Sequence, residues 1–127
     1  MIFVTDRQAV PQTYYNYDDL NRVELNSIDI SIFLSQYGYG NVLTGKTDWL
    51  ISDFPRDTAM QNYIDNVNYL KNIFYSLAPD PPTNMNNIDY IDANNIEKTQ
   101  ESVYNLINET VRISPKLAFT LGGSRFG

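Results

Sequence analysis

The stretch YDDLNRVELN, Tyr17 to Asn26, is echoed twice further along the chain: MQNYIDNV begins at Met60 and DANNIEKT at Asp92. A shift of 40 lays Leu20 on Met60, Asn21 on Gln61, Val23 on Tyr63, Ile30 on Leu70, Leu34 on Phe74 and Tyr37 on Leu77. A further shift of 33 lays Met60 on Ala93, Gln61 on Asn94, Tyr63 on Ile96 and Leu70 on Val103, and Glu24 meets Glu97 across the full 73. One amphipathic helix cannot bury its apolar stripe alone, whereas three similar helices can enclose a common seam. The repetition therefore predicts a mainly α fold, a three-helix bundle built from three loosely repeated helices.

The first helix is expected over 18–37, capped by Asp18 and closed by Gly38 and Gly40, with Leu20, Val23, Ile30, Leu34 and Tyr37 on one stripe. Leu25, Ile28, Ile32 and Phe33 form a second stripe, which predicts burial on two sides. The second helix is expected over 56–77, carrying Met60, Tyr63, Ile64, Val67, Leu70, Phe74 and Leu77 at heptad-like spacing. Ser52, Asp53 or Asp57 can cap it, Pro55 suits its first turn, and Pro81 and Pro82 stop it. The third is expected from about Asp92 to Val111, capped by Asp89 or Asp92, with Ile96, Val103, Leu106, Ile107 and Val111 inward and Glu97 and Glu101 outward.

The recurring polar positions Asn21, Gln61, Asn94, Glu24 and Glu97 have two readings. They tie helix starts to the preceding aromatic segments YYNY, DFP and IDY, or they are ordinary solvated first-turn residues. At the chain ends, IFVTD and KLAFTLGG read as short terminal β segments, because Leu117, Phe119 and Leu121 alternate with Lys116, Ala118 and Thr120. A lone strand must pair with the other terminus or with another chain. The domain reading is a single helical domain over 1–127, with residues 112–127 a C-terminal extension ordered by a partner.

Composition narrows the chemistry. The chain has 127 residues, 43% of them hydrophobic, enough for one core and too apolar for a disordered polymer. Its net charge of −6 and scattered basic residues argue against nucleic acid, which needs a clustered cationic face. Neither a membrane span nor a basic, then apolar, leader is apparent, so the expectation is a protein made and kept soluble in the cytoplasm. Cysteine and histidine are absent, removing disulfides, thiolate nucleophiles, the usual zinc sites and imidazole acid–base chemistry. With 15 Asn and 10 Tyr, the vocabulary suits hydrogen-bonded contact surfaces, or reflects an A/T-rich genome.

Several phrases, taken in order, resemble a family. These are TDRQAV from Thr5, NYDDLNRVE from Asn16, KTDWLISDFP from Lys46, YIDNVNYLK from Tyr63, IDYIDANNIEK from Ile88, and the closing LAFTLGGSRFG. The chain resembles small structural proteins of the tail modules of phages and prophages of Gram-positive bacteria. PQTYYNY is short for the N-terminal connection of that group. The resemblance implies a non-enzymatic component of the tail, baseplate or tail-fibre attachment region, acting as an adaptor, with no catalytic residue, cofactor or metal to carry over. It implies other tail proteins and copies of itself as partners, and a place in the virion after assembly in the bacterial host cytoplasm.

The acid pairs Asp18/Asp19 and Asp89/Asp92 could hold a cation or act as acid and base, but at helix starts they read as caps. The terminal LGGSRFG lacks the lysine and following helix of a phosphate loop. Candidate interface residues are Trp49, which reads as core plug or interface anchor, with Leu117, Phe119, Leu121 and Phe126. Tyr14, Tyr15, Tyr17, Tyr37 and Tyr39 support the alternative of a receptor-binding module stacking on host cell-surface glycans.

Overall fold

The computed structural model describes residues 1–9, 16–50, 57–73, 78–86 and 88–126, with Asp57 and 111–126 described as helix backbone. Three helices pack against one another: α1 (Tyr17–Gln36), α2 (Asp57–Ile73) and α3 (Tyr90–Phe126). Asn16, not Asp18, caps α1. Its side chain accepts from the Asp19 N–H while Asp19 accepts from the Asn16 N–H, so two otherwise orphaned donors are satisfied reciprocally. Asp89 and Asp92 make the same exchange at the start of α3. Gly38 ends α1 at φ +86°, a left-handed conformation that other residues adopt only under strain, leaving Tyr37 as the C-cap, half exposed. Ser52, Asp53, Phe74 and Leu77 lie outside the described residues.

The core has two apolar layers. Leu20 and Val23 of α1 meet Tyr63, Ile64 and Val67 of α2 and Ile96 of α3, with Trp49 beside them. Ile30 and Leu34 meet Leu70, Val103 and Ile107 in the second layer. Starts thus pack on starts and ends on ends, so the three helices run parallel. Between the layers Gln100 of α3 reaches α1, donating to the Val23 carbonyl and to Ser27 Oγ, each at 2.7 Å.

Parallel neighbours require connections that travel back along the bundle, which is why these are long and extended. Residues 41–50 return beside α1 and α2: Leu43 N–H donates to Ser31 Oγ, Asn66 donates to the Thr44 carbonyl, and Trp49 sits against Asn21. Residues 78–83 return beside α2: Lys71 donates to the Ala78 carbonyl, Asn68 to that of Pro82 and Gln61 to that of Thr83.

The structure corrects the expected terminal β segments. Among the described residues there is no strand, and KLAFTLGG lies inside α3, where a helix satisfies its backbone without a ladder partner. The N-terminal segment is extended, but side chains occupy its backbone groups. Glu97 accepts from Val4 N–H, while Arg22 and Asn26 donate to the Ile2 carbonyl. The second stripe of α1 is also corrected: Leu25 and Ile32 are 48% and 39% exposed, because residues 41–50 and the N-terminal segment lie along the flanks of α1 and leave its outer ridge open. Glu97 is fully buried rather than outward, held there by two arginines, and Leu106 is exposed.

Candidate functional site

Each helix carries an amide in its first turns that grips an extended segment. Asn21 donates to the Trp49 carbonyl at 2.9 Å and accepts from the Trp49 N–H at 2.6 Å. Asn94 grips Arg7 in the same two-bond fashion, at 3.1 and 2.8 Å. Gln61 makes half of that contact, donating to the Thr83 carbonyl at 2.9 Å. The gripped segments are, in that order, the one leading into α2, the one leading into α1 and the one leading into α3. A quasi-threefold pattern results, in which the amide of each helix holds the run-in to another. The recurring amides are therefore ties, as one sequence reading has it, here to these extended segments, while Tyr14, Tyr15 and the DFP stretch lie outside the described residues.

The Arg7 grip is backed by a buried charge cluster. Arg7 Nη2 meets Glu97 Oε2 at 2.5 Å and lies 3.8 Å from Asp19, and Arg7 Nη1 donates to the Val4 carbonyl at 2.7 Å. Arg22 bridges both Glu97 oxygens and Asp19 at 3.1 Å. Its hydrogen bond to Glu97 outweighs burial and holds the guanidinium pKa above its ordinary value. Glu97 thus accepts four hydrogen bonds, from Arg7 and Arg22 at Oε2 and from Val4 N–H and Arg22 at Oε1. Both carboxylate oxygens are engaged by groups of the protein itself. The cluster is a latch for the N-terminal segment.

Glu24 occupies the corresponding place on α1 and is 2% exposed. Its single partner among the described residues is Asn66, which donates at 2.8 Å. A Cβ at position 45 would overlap its carboxyl group, so only Gly45 lets the backbone pass over it. Burial pushes its pKa up to about 7, with the Asn66 bond opposing the shift.

Among the described residues no group of three acidic, His or Cys side chains is arranged to hold a metal, and no helix is long and apolar enough to cross a membrane. An open groove runs between Thr5, Pro79, Lys98, Glu101 and Leu106, without converging buried polar groups. Trp49 is 4% exposed in the first core layer, with Lys46 over its ring at 5.0 Å, so its side chain fills the core. Leu117, Phe119, Leu121 and Phe126 fall on the part of α3 beyond the second core layer. Of the tyrosines, Tyr17 is half-buried against the core, Tyr37 stacks edge-on with Phe33, Tyr39 is 38% exposed, and Tyr14 and Tyr15 lie outside the described residues. The charge cluster escapes sequence reasoning except through the coincidence of Asn21 with Asn94 and Glu24 with Glu97. No protein-family model, curated protein or solved structure matches the chain.

Proposed function

We propose that this chain is a non-enzymatic structural component of a phage tail or phage-tail-like particle, serving as an adaptor in the baseplate or tail-fibre attachment region. Its place is then the virion, assembled in the bacterial host cytoplasm, with other tail proteins and copies of itself as partners. The observation that carries this reading is the inequality of the helices. α1 ends level with Ile107 and α2 is described as far as Ile73 beside it, while α3 continues to Phe126. At about 1.5 Å per residue that is roughly 28 Å of helix past the bundle. A latched body with a projecting helix suits geometric joining of subunits better than catalysis, and the buried carboxylates are covered, as Glu24 is, or paired, as Glu97 is.

Mass spectrometry of purified particles tests the placement: the chain is expected among their proteins. A chain lacking Leu117 to Gly127 is expected to fold, retain helical circular dichroism and fail to enter particles. Normal incorporation of that truncated chain removes the proposal. The second reading, a receptor-binding module, draws on the exposure of Tyr37 and Tyr39. It is favoured instead if the protein binds purified cell wall and loses that binding in Tyr37→Ala and Tyr39→Ala.

A further inference from the structure

The outer ridge of α1 and the projecting part of α3 are complementary. Leu25 and Ile32 stand exposed on one line of α1 with Ile28 half-buried between them, and exposed Asp18 and Asp29 share that outer face. The described segments that flank α1 leave this line uncovered. All 15 acidic residues of the chain precede position 111, whereas residues 111–127 contain Arg112, Lys116 and Arg125 and no acid. In the same stretch Ile113, Leu117 and Leu121 recur at every fourth position, the spacing that a helix gathers onto one side. One partner is thus a helix face with an apolar line edged by acids; the other is a helical sequence with an apolar line interspersed with bases.

The lengths agree as well. The ridge from Asp18 to Gln36 spans about 27 Å, and the acid-free part of α3, 111–126, fits within it at about 23 Å, at the rise of an α-helix. Because the helices are parallel, α3 leaves the bundle at the end where α1 stops, so a continuous α3 moves away from the ridge of its own chain. The occupant must be supplied by another molecule.

We infer that the C-terminal part of α3 in one copy docks on the Leu25–Ile32 ridge of α1 in a second copy. The contact joins two different surfaces, so each molecule offers one and keeps one free, and association proceeds to a ring or an open chain. It gives the assembly role above a defined contact and rests on that role for its biological setting alone. The purified protein can therefore fail this test while still being found in particles, or pass it while being absent from them.

Sedimentation of the full-length chain over a concentration series is the test. Wild type is expected to grow in mass with concentration. A ridge variant, Leu25→Glu with Ile32→Glu, and a tail variant, Arg112→Glu with Lys116→Glu, are each expected to stay monomeric with helical circular dichroism intact. Mixed together, the two regain association but stop at a one-to-one pair, since one holds an intact tail and the other an intact ridge. Three results overturn the inference: a wild type that is monomeric throughout, a ridge or tail variant that associates as wild type does, or an associating wild type whose two variants form no mixed pair.

Discussion

Glu24 and Glu97 sit at equivalent places on α1 and α3, each three residues after an asparagine that grips an extended segment, and both are buried. Their surroundings differ. The segment over α3 brings Arg7, and α1 adds Arg22, so Glu97 is neutralised by two guanidinium groups. The segment over α1 brings Gly45, which contributes only room, and α2 adds the neutral Asn66. One helical phrase thus yields a paired carboxylate and an unpaired one. The residues that the covering segment and the neighbouring helix bring up decide the electrostatics of each site.

The sharpest way to break that comparison is to make one substitution at both sites. Glu97→Gln keeps the shape but removes the charge that Arg7 and Arg22 share. Breaking a buried ion pair from one side costs about 3–5 kcal/mol, because the partner charge stays buried without compensation. The urea midpoint at neutral pH is expected to fall accordingly, with the N-terminal segment becoming susceptible to proteolysis. A Glu97→Gln protein as stable as wild type would show that the cluster does not hold the N-terminus.

At Glu24 the same change has the opposite sign. A carboxyl group whose folded pKa is raised to about 7 binds its proton more tightly in the native state than in the unfolded chain. Its stabilising contribution is complete below the unfolded pKa, near 4.5, and is lost as pH rises through about 7. Glu24→Gln removes this loss. It is expected to be more stable than wild type at pH 8, by about 2 kcal/mol, with the two proteins converging toward pH 4. Denaturation measured across that range checks both sign and window, and parallel curves would refute the assignment.

The three helices and most of their core positions were legible because apolar periodicity records which residues need cover. Leu20, Val23, Ile64, Val67 and Ile96 all prove buried. Periodicity is blind to direction, however, and the parallel arrangement emerges only from which layers meet. It also treats every Glu as solvated, so it places Glu97, paired with an arginine 90 positions away, on the wrong side. The periodicity predicts burial for the exposed Leu25 and Ile32 because hydrophobicity reports a demand for cover without saying whether this chain supplies it. The alternation in KLAFTLGG is too short to outweigh the continuation of a helix already nucleated at Asp89. Part of the site was visible as well: the coincidence of two asparagines and two glutamates across 73 positions carried the clamp, though not its ligands.

The smallest expected difference lies in the grips themselves. Asn21→Ala and Asn94→Ala each remove one acceptor and one donor from the backbone of an extended segment. Leaving buried backbone groups unsatisfied costs about 1–3 kcal/mol, so the global destabilisation is expected to be similar for the two. Their local consequences should separate. Trp49 is fixed in the first core layer by its own side chain, so the segment over α1 stays docked in Asn21→Ala and its amide exchange changes little. In Asn94→Ala, Arg7 is held by polar contacts alone, among them its ion pair with Glu97, which also accepts from Val4 N–H. Hydrogen exchange at Arg7 and Trp49 measures the contrast, with faster exchange at Arg7 in its variant than at Trp49 in the other. Equal acceleration would mean that the asparagine grip, rather than the ring or the ion pair behind it, determines how firmly each segment is held.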